Sequence, residues 1–165
     1  MKILLIQPPL NKNIVGAGIL YLSEPLALET IAAGIEQHQV KILDMRIEPN
    51  LEDELSAFSP DIVGCTGLTP DVYTVYSILE KVKKYNNNIL TVVGGHHATM
   101  MPYDFNREFI NVIVIGEGQH TFQELVDTYA QKGDFTQLRG LALPHNGKLT
   151  FTPAVSYTHL TLPTN

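Results

Sequence analysis

The chain holds 165 residues, of which 44% are hydrophobic and 17% charged, and its formal net charge is −6. This is the composition of one globular domain with a real core; it excludes a disordered chain and argues against a nucleic-acid partner. No apolar run approaches the roughly 20 residues of a membrane helix, so no membrane partner is expected and a cytoplasmic address is the default. The single cysteine, Cys65, excludes an internal disulfide and any all-cysteine metal site.

Lys2 to Ile6 reads as a first buried strand, ended by Gln7-Pro8-Pro9 because the two prolines offer no ladder donor. A loop to Tyr21 carries Gly16-Ala17-Gly18. Ser23-Glu24-Pro25 then opens a helix, with Ser23 as N-cap and Leu28, Ile31, Ala32 and Ile35 as an apolar stripe. Val40 to Leu43 is a second strand, Leu51 to Phe58 a short helix, and Ile62 to Thr66 a third strand. Thr69-Pro70-Asp71 caps a helix running to about Tyr85, with Val72, Val75, Ile78, Leu79 and Val82 inward.

Ile89 to Val93 is a fourth strand, and it stops at the double glycine Gly94-Gly95, followed by His96-His97-Ala98-Thr99. Met101 to Phe109 is a short or irregular helix. Val112 to Ile115 is a fifth strand, closed by Gly116-Glu117-Gly118, and Thr121 to Ala130 a fifth helix. His145-Asn146-Gly147 between two β-rich runs is a hairpin signal. Strand and helix in alternation imply a parallel sheet with right-handed crossovers. The expected fold is α/β: a doubly wound, flavodoxin-like five-stranded parallel sheet of order 2-1-3-4-5 with a C-terminal β-hairpin.

Ligands of such sheets bind outside the carboxyl ends of the strands. The loops expected there are Gln7-Pro8-Pro9, Thr66-Gly67-Leu68-Thr69, Gly94 to Thr99, and Gly116-Glu117-Gly118. Gly16-Ala17-Gly18 supplies two glycines of a dinucleotide fingerprint, but the third position is Tyr21 and the run lies well past its strand. No P-loop is present, and the first loop has neither the acidic residues of a phospho-acceptor nor the hydroxyl- and glycine-rich run of a flavin site.

Val92-Val93-Gly94-Gly95-His96-His97-Ala98-Thr99 is close to a V-G-G-x-H-x-T pattern, and Gly116-Glu117-Gly118-Gln119 is close to G-E-G-E, with Gln119 a small departure. With these motifs the chain, from residue 2 to about 153, resembles the cobalamin-binding domain that precedes the catalytic domain of many radical SAM enzymes. The resemblance implies the corrin on the carboxyl edge and the nucleotide tail entering between strands, against the backbone of Gly94 and Gly95. It implies a cofactor site drawn from Gln7, Pro8, Pro9, Thr66, Leu68, Thr69, Gly94, Gly95, His97, Gly116, Glu117 and Gly118. Thr66 and Thr69 either donate hydroxyls to the tail or cap a helix. Glu117 either holds its loop through backbone N–H groups or touches ligand, and His97 either orders its loop or ligates cobalt. Cys65 reads as core in preference to nucleophile.

Cobalamin proteins of the methionine-synthase and mutase type carry Asp-x-His-x-x-Gly after the second strand or near it, whereas Asp44-Met45-Arg46-Ile47-Glu48-Pro49 holds no histidine. On this resemblance cobalamin binds base-off without that ligand, and no residue is assigned as a metal ligand or as catalytic. Cys-x-x-x-Cys-x-x-Cys is absent from the sequence. The iron–sulfur cluster and S-adenosylmethionine are therefore expected in a radical SAM domain of the same parent chain, a methyltransferase or a ring-forming relative. A stand-alone α/β domain or enzyme binding a nucleotide or other small molecule at the same edge is the alternative. Val155 to Thr164 resembles a translated sequencing-library adapter. The expected division is a cofactor domain at 1–136, a hairpin at 137–154, and a non-native tail at 155–165.

Overall fold

The computed structural model describes residues 1–10 and 22–155, so Gly16-Ala17-Gly18 and the tail after Val155 lie outside the described residues. Among the described residues seven strands form one sheet: β1 (Lys2–Gln7), β2 (Gln39–Asp44), β3 (Ile62–Thr66), β4 (Leu90–Gly94), β5 (Val112–Val114), β6 (Leu141–His145) and β7 (Lys148–Phe151). Their order is β2-β1-β3-β4-β5-β6-β7. The first five are parallel in the predicted order, and β6 and β7 continue the sheet antiparallel. The sheet is thus wider than the five strands expected, because the hairpin pairs with β5 instead of standing apart. Its turn uses Asn146 at φ +49° and Gly147 at φ +75°, the left-handed pair that a two-residue hairpin turn requires.

Helices cover both faces. Side-chain alternation along the strands sends Leu4, Ile6, Val63, Cys65, Val93 and Ile113 to one layer. There they meet α2 (Leu51–Phe58) and α3 (Val72–Tyr85) through Leu51, Leu55, Val75, Leu79 and Val82. Ile3, Leu5, Ile62, Val92, Val112 and Val114 face the other way. Their partners are Leu28 of α1 (Leu26–Ala33) and Phe122, Leu125 and Val126 of α5 (Gly118–Ala130). Burial on both faces is why these strands carry continuous apolar runs.

Two local expectations change. Ser23 does not cap α1, because Pro25 occupies that position and its carbonyl accepts the N–H groups of Leu28 and Glu29 at 2.8 and 3.1 Å. The stretch after Gly95 is no extended loop but a one-turn helix, α4 (His96–Met100). The reversal happens at Gly95 itself, which at φ +101° and ψ −169° adopts a backbone region open essentially to glycine alone. The carbonyl of Gly95 then accepts the Thr99 N–H at 3.1 Å, and that of His97 the Met101 N–H at 2.8 Å.

Candidate functional site

β1, β3, β4 and β5 end at one edge of the sheet, and between that edge and the α1–α5 layer lies a cavity of about 690 Å³. That size suits a small molecule or part of a larger cofactor. Leu5, Gly64 and Val92 form one lateral row of its floor, since Leu5 pairs with Gly64 and Gly64 with Val92. Leu28 and Ile31 of α1 and Phe122 of α5 complete the apolar wall. Gly64 has no room for a side chain, because a Cβ there would meet Leu5 Cδ2 at 3.0 Å and the Phe122 ring at 3.5 Å.

Nearer the edge, Thr66 pairs with Gly94. The two glycines after β4 differ in role. A Cβ on Gly94 would meet only Val114, at 3.6 Å from its Cβ, so the backbone here lies open toward the cavity. A Cβ on Gly95 would stand 2.6 Å from Thr66 Oγ1, on a backbone already at positive φ. Gly95 is glycine for the turn and its packing; Gly94 is the open wall. Thr99 ties the neighbouring loop in, donating its hydroxyl to the Gly95 carbonyl at 3.0 Å and accepting the Gly116 N–H at 2.9 Å. Gly116 itself sits at φ +84°, which lets the chain turn from β5 into α5.

The structure brings Thr66, Gly94, Gly95, Gly116, Glu117 and Gly118 to this cavity, and leaves Gln7, Pro8, Pro9, Leu68, Thr69 and His97 out of its lining. The Gln7 carbonyl takes the Met45 N–H at 3.0 Å, which carries the exit of β1 toward β2. Pro9 lines a second hollow of about 400 Å³ on the α2–α3 side. His97 is buried in the α3 layer, edge-on to the Phe105 ring, with Nδ1 3.1 Å from Thr69 Oγ1 and Nε2 3.0 Å from Asp104 Oδ2. The carboxylate can only accept, so Nε2–H donates to it, and in the neutral ring Nδ1 accepts the Thr69 hydroxyl. His96, not His97, lines the cavity.

Hydroxyl accounting singles out one donor. Thr30 donates to the Leu26 carbonyl at 2.8 Å and Thr99 is committed as described. Thr66 Oγ1 makes no hydrogen bond among the described residues. Four residues of α1 line the cavity: Leu28 and Ile31 read from sequence as an ordinary core stripe, and Ala27 and Thr30, at helical spacing beside them, carry no signal of their own.

Two further groups border the edge. In the loop after β2, Arg46 clamps Asp44 bidentately, Nε to Oδ1 at 2.8 Å and Nη2 to Oδ2 at 2.6 Å, and also donates to the Ser23 carbonyl at 2.8 Å. This hydrogen bonding holds the Asp44 carboxyl below the usual carboxylate range, against the opposing effect of burial. Cys65 is buried, and burial, helped by the nearby Asp71 charge, pushes its thiol well above the ordinary cysteine value. It is not an activated nucleophile.

A profile of the B12 binding domain matches residues 12–126. The chain belongs to the B12-binding domain family. An uncharacterised methyltransferase of Pyrococcus horikoshii is 36% identical over 163 residues, which cover 93% of this chain and 35% of that protein. An anaerobic magnesium-protoporphyrin IX monomethyl ester cyclase of Rubrivivax gelatinosus is 35% identical over 113 residues, 65% of this chain and 20% of the cyclase. This B12-binding domain therefore spans about a third or less of the curated relatives it matches. Its fold is that of the radical S-adenosylmethionine methyltransferase TsrM from Kitasatospora setae, solved with cobalamin and a [4Fe-4S] cluster bound. There the TM-score is 0.79 at 21% identity, over 97% of this chain and 30% of that one. The cobalamin-dependent radical enzyme OxsB gives 0.77 at 16% identity, over 94% and 22%. Among the described residues no helix of this B12-binding domain is long and apolar enough to cross a membrane.

Proposed function

We propose that this B12-binding domain is the cobalamin module of a longer radical SAM protein, and that the cavity between the sheet and the α1–α5 layer takes the nucleotide tail. The observation that carries this reading is the opening at Gly94, where backbone without a side chain faces about 690 Å³ of largely apolar space. A cofactor tail ending in an aromatic base needs such a slot, and a Cβ at Gly94 would project into it. Thr66 Oγ1, with no hydrogen-bond partner among the described residues, is positioned to donate to the tail, and the N-terminal turn of α5 at Gly118 offers backbone N–H groups to an anionic group.

The corrin ring is then proposed to lie on the carboxyl edge, over Leu68, which is 58% exposed there, and beside Gln7, Pro8, Pro9 and Thr69. With its base in the cavity the cofactor is expected base-off, and the 44–49 loop, which holds no histidine, would give the cobalt no imidazole in its place. His97 serves by holding the loop after β4, since both its ring nitrogens are occupied. Bound cobalamin would supply a cobalt able to carry a methyl group, which fits a parent methyltransferase. The iron–sulfur cluster and S-adenosylmethionine would come with another part of that parent.

Colour retention tests the reading directly. Purified chain incubated with hydroxocobalamin and then desalted should keep the corrin absorbance, and Gly94→Leu should lose it while remaining folded. A wild-type protein that emerges colourless would refute the proposal.

A further inference from the structure

Among the described residues, the cavity wall is sorted by depth. Leu5, Leu28, Val92, Val114 and Phe122 are apolar and each at most 4% exposed. His96, Glu117 and Gln119 are exposed at the mouth. The floor strands have their backbone groups in the parallel ladder. Thr30 and Thr99 turn their hydroxyls to backbone carbonyls, and Thr66 sits two pairs nearer the edge than Gly64 and Val92, opposite Gly94. The Cys65 thiol stays protonated and is directed at the Thr66 carbonyl, 3.5 Å away. A group reaching the floor therefore meets hydrocarbon and an aromatic ring, and among the described residues no floor side chain replaces the hydrogen bonds that it had with water.

Resting on the reading that this cavity takes the nucleotide tail, we infer that the domain selects the chemistry of the tail's terminal base. A fused aromatic bicycle without exocyclic polar groups, such as a benzimidazole, is accepted. A purine carrying an exocyclic amine is disfavoured, because its amine and ring nitrogens lose water against Leu5, Val92 and Phe122 with nothing in exchange. Desolvating one such group without a partner is unfavourable enough to discriminate, although an apolar pocket rejects an added polar group only moderately. The selecting residues are Leu5, Val92 and Phe122; Thr66 and the mouth residues meet parts that all such cofactors share.

The test titrates the 165-residue chain with three corrinoids and follows their absorbance: cobalamin, the same corrinoid with adenine as its base, and cobinamide, which has no base. Cobalamin should bind tightest, with the adenine form weaker by about 10- to 100-fold and cobinamide weaker than cobalamin. Val92→Thr places a hydroxyl in the floor with little change of volume and should narrow the gap between the two bases. Val114→Thr, on the adjacent strand, serves the same purpose if Val92→Thr does not fold. Equal affinity for the two bases would overturn the inference and leave the cobalamin reading standing. Cobinamide binding as tightly as cobalamin would overturn it too, since the base would then lie outside the cavity. Failure of all three to bind would overturn the cobalamin reading itself, and this inference with it.

Discussion

His97 Nε2 lies 3.0 Å from the carboxylate of Asp104, seven residues on, and so closes the one-turn helix α4 against the 3-10 turn Pro102–Phe105. The same ring reaches Thr69 through Nδ1, which joins the loops after β3 and β4. His97→Ala removes both contacts and the edge-to-face packing on Phe105. It should destabilise the apo-protein by about 1–3 kcal/mol, from two lost hydrogen bonds at about 1 kcal/mol each and the lost packing of a buried ring, as read from urea unfolding. The electron paramagnetic resonance spectrum of the cob(II)alamin complex should not change. A nitrogen-ligand signature present in wild type and lost in the variant would make His97 a cobalt ligand instead.

Gly94 and Gly95 should respond oppositely to a side chain. Gly94→Leu finds space and should leave the apo-protein's melting temperature close to wild type, while weakening cobalamin binding more than about tenfold, or ~1.4 kcal/mol. Gly95→Ala meets Thr66 Oγ1 on a positive-φ backbone and should destabilise the fold by about 1–3 kcal/mol. Calorimetry and a cobalamin titration on both variants separate the two effects. A Gly95→Ala protein as stable as wild type would remove the strain argument.

The Asp44–Arg46 clamp sets a pH response. The folded-state pKa of Asp44 is lowered, so its contribution is fully present above the unfolded value of about 3.9. It is lost as pH falls through that value to the lower folded one. Between pH 6 and pH 3 the urea midpoint of wild type should therefore fall more steeply than that of Asp44→Asn. Parallel curves would show that the clamp contributes nothing to acid stability.

Cys65 should behave as core. In native protein at pH 8 a thiol reagent should react with it far more slowly than in urea-unfolded protein, because the sulfur is buried and its thiolate disfavoured. Rapid stoichiometric labelling of the native protein would mean that the cavity opens to the strand beneath Thr66.

The layered plan is legible in the sequence because long periodic segments leave few options. Val72, Val75, Ile78, Leu79 and Val82 are all buried at the spacing that α3 imposes, and uniform apolar strands mark a sheet covered on both sides. What escapes is short-range geometry. Five residues give α4 too little periodicity to register, and its existence depends on a single positive φ at Gly95. With α4 unseen, nothing distinguishes His96, at the cavity, from His97, buried behind it. Loop order along the edge likewise does not tell that Gln7, Pro8 and Pro9 stand outside the cavity lining, where the Met45 N–H bonds to the Gln7 carbonyl and Pro9 borders the second hollow. Gly64 was missed although strand alternation puts it on the same face as Gly94.

The hairpin's pairing with β5 has a consequence for solubility. Val112–Val114 is buried throughout, and Ile113 and Val114 pair with Ala142 and Leu141 of β6. A polypeptide stopped at residue 136 would present this apolar strand with its N–H and C=O groups unpaired, a template on which further copies could stack edge to edge. In the intact sheet the outermost strand is β7 instead, only 4 residues long, which opens with Lys148 and alternates Lys148 and Thr150 with Leu149 and Phe151. Such an edge resists recruitment by neighbouring molecules. The hairpin thus acts as a built-in guard against polymerisation, and the shortest piece worth expressing on its own ends no earlier than residue 152, whose backbone N–H still bonds to Leu141.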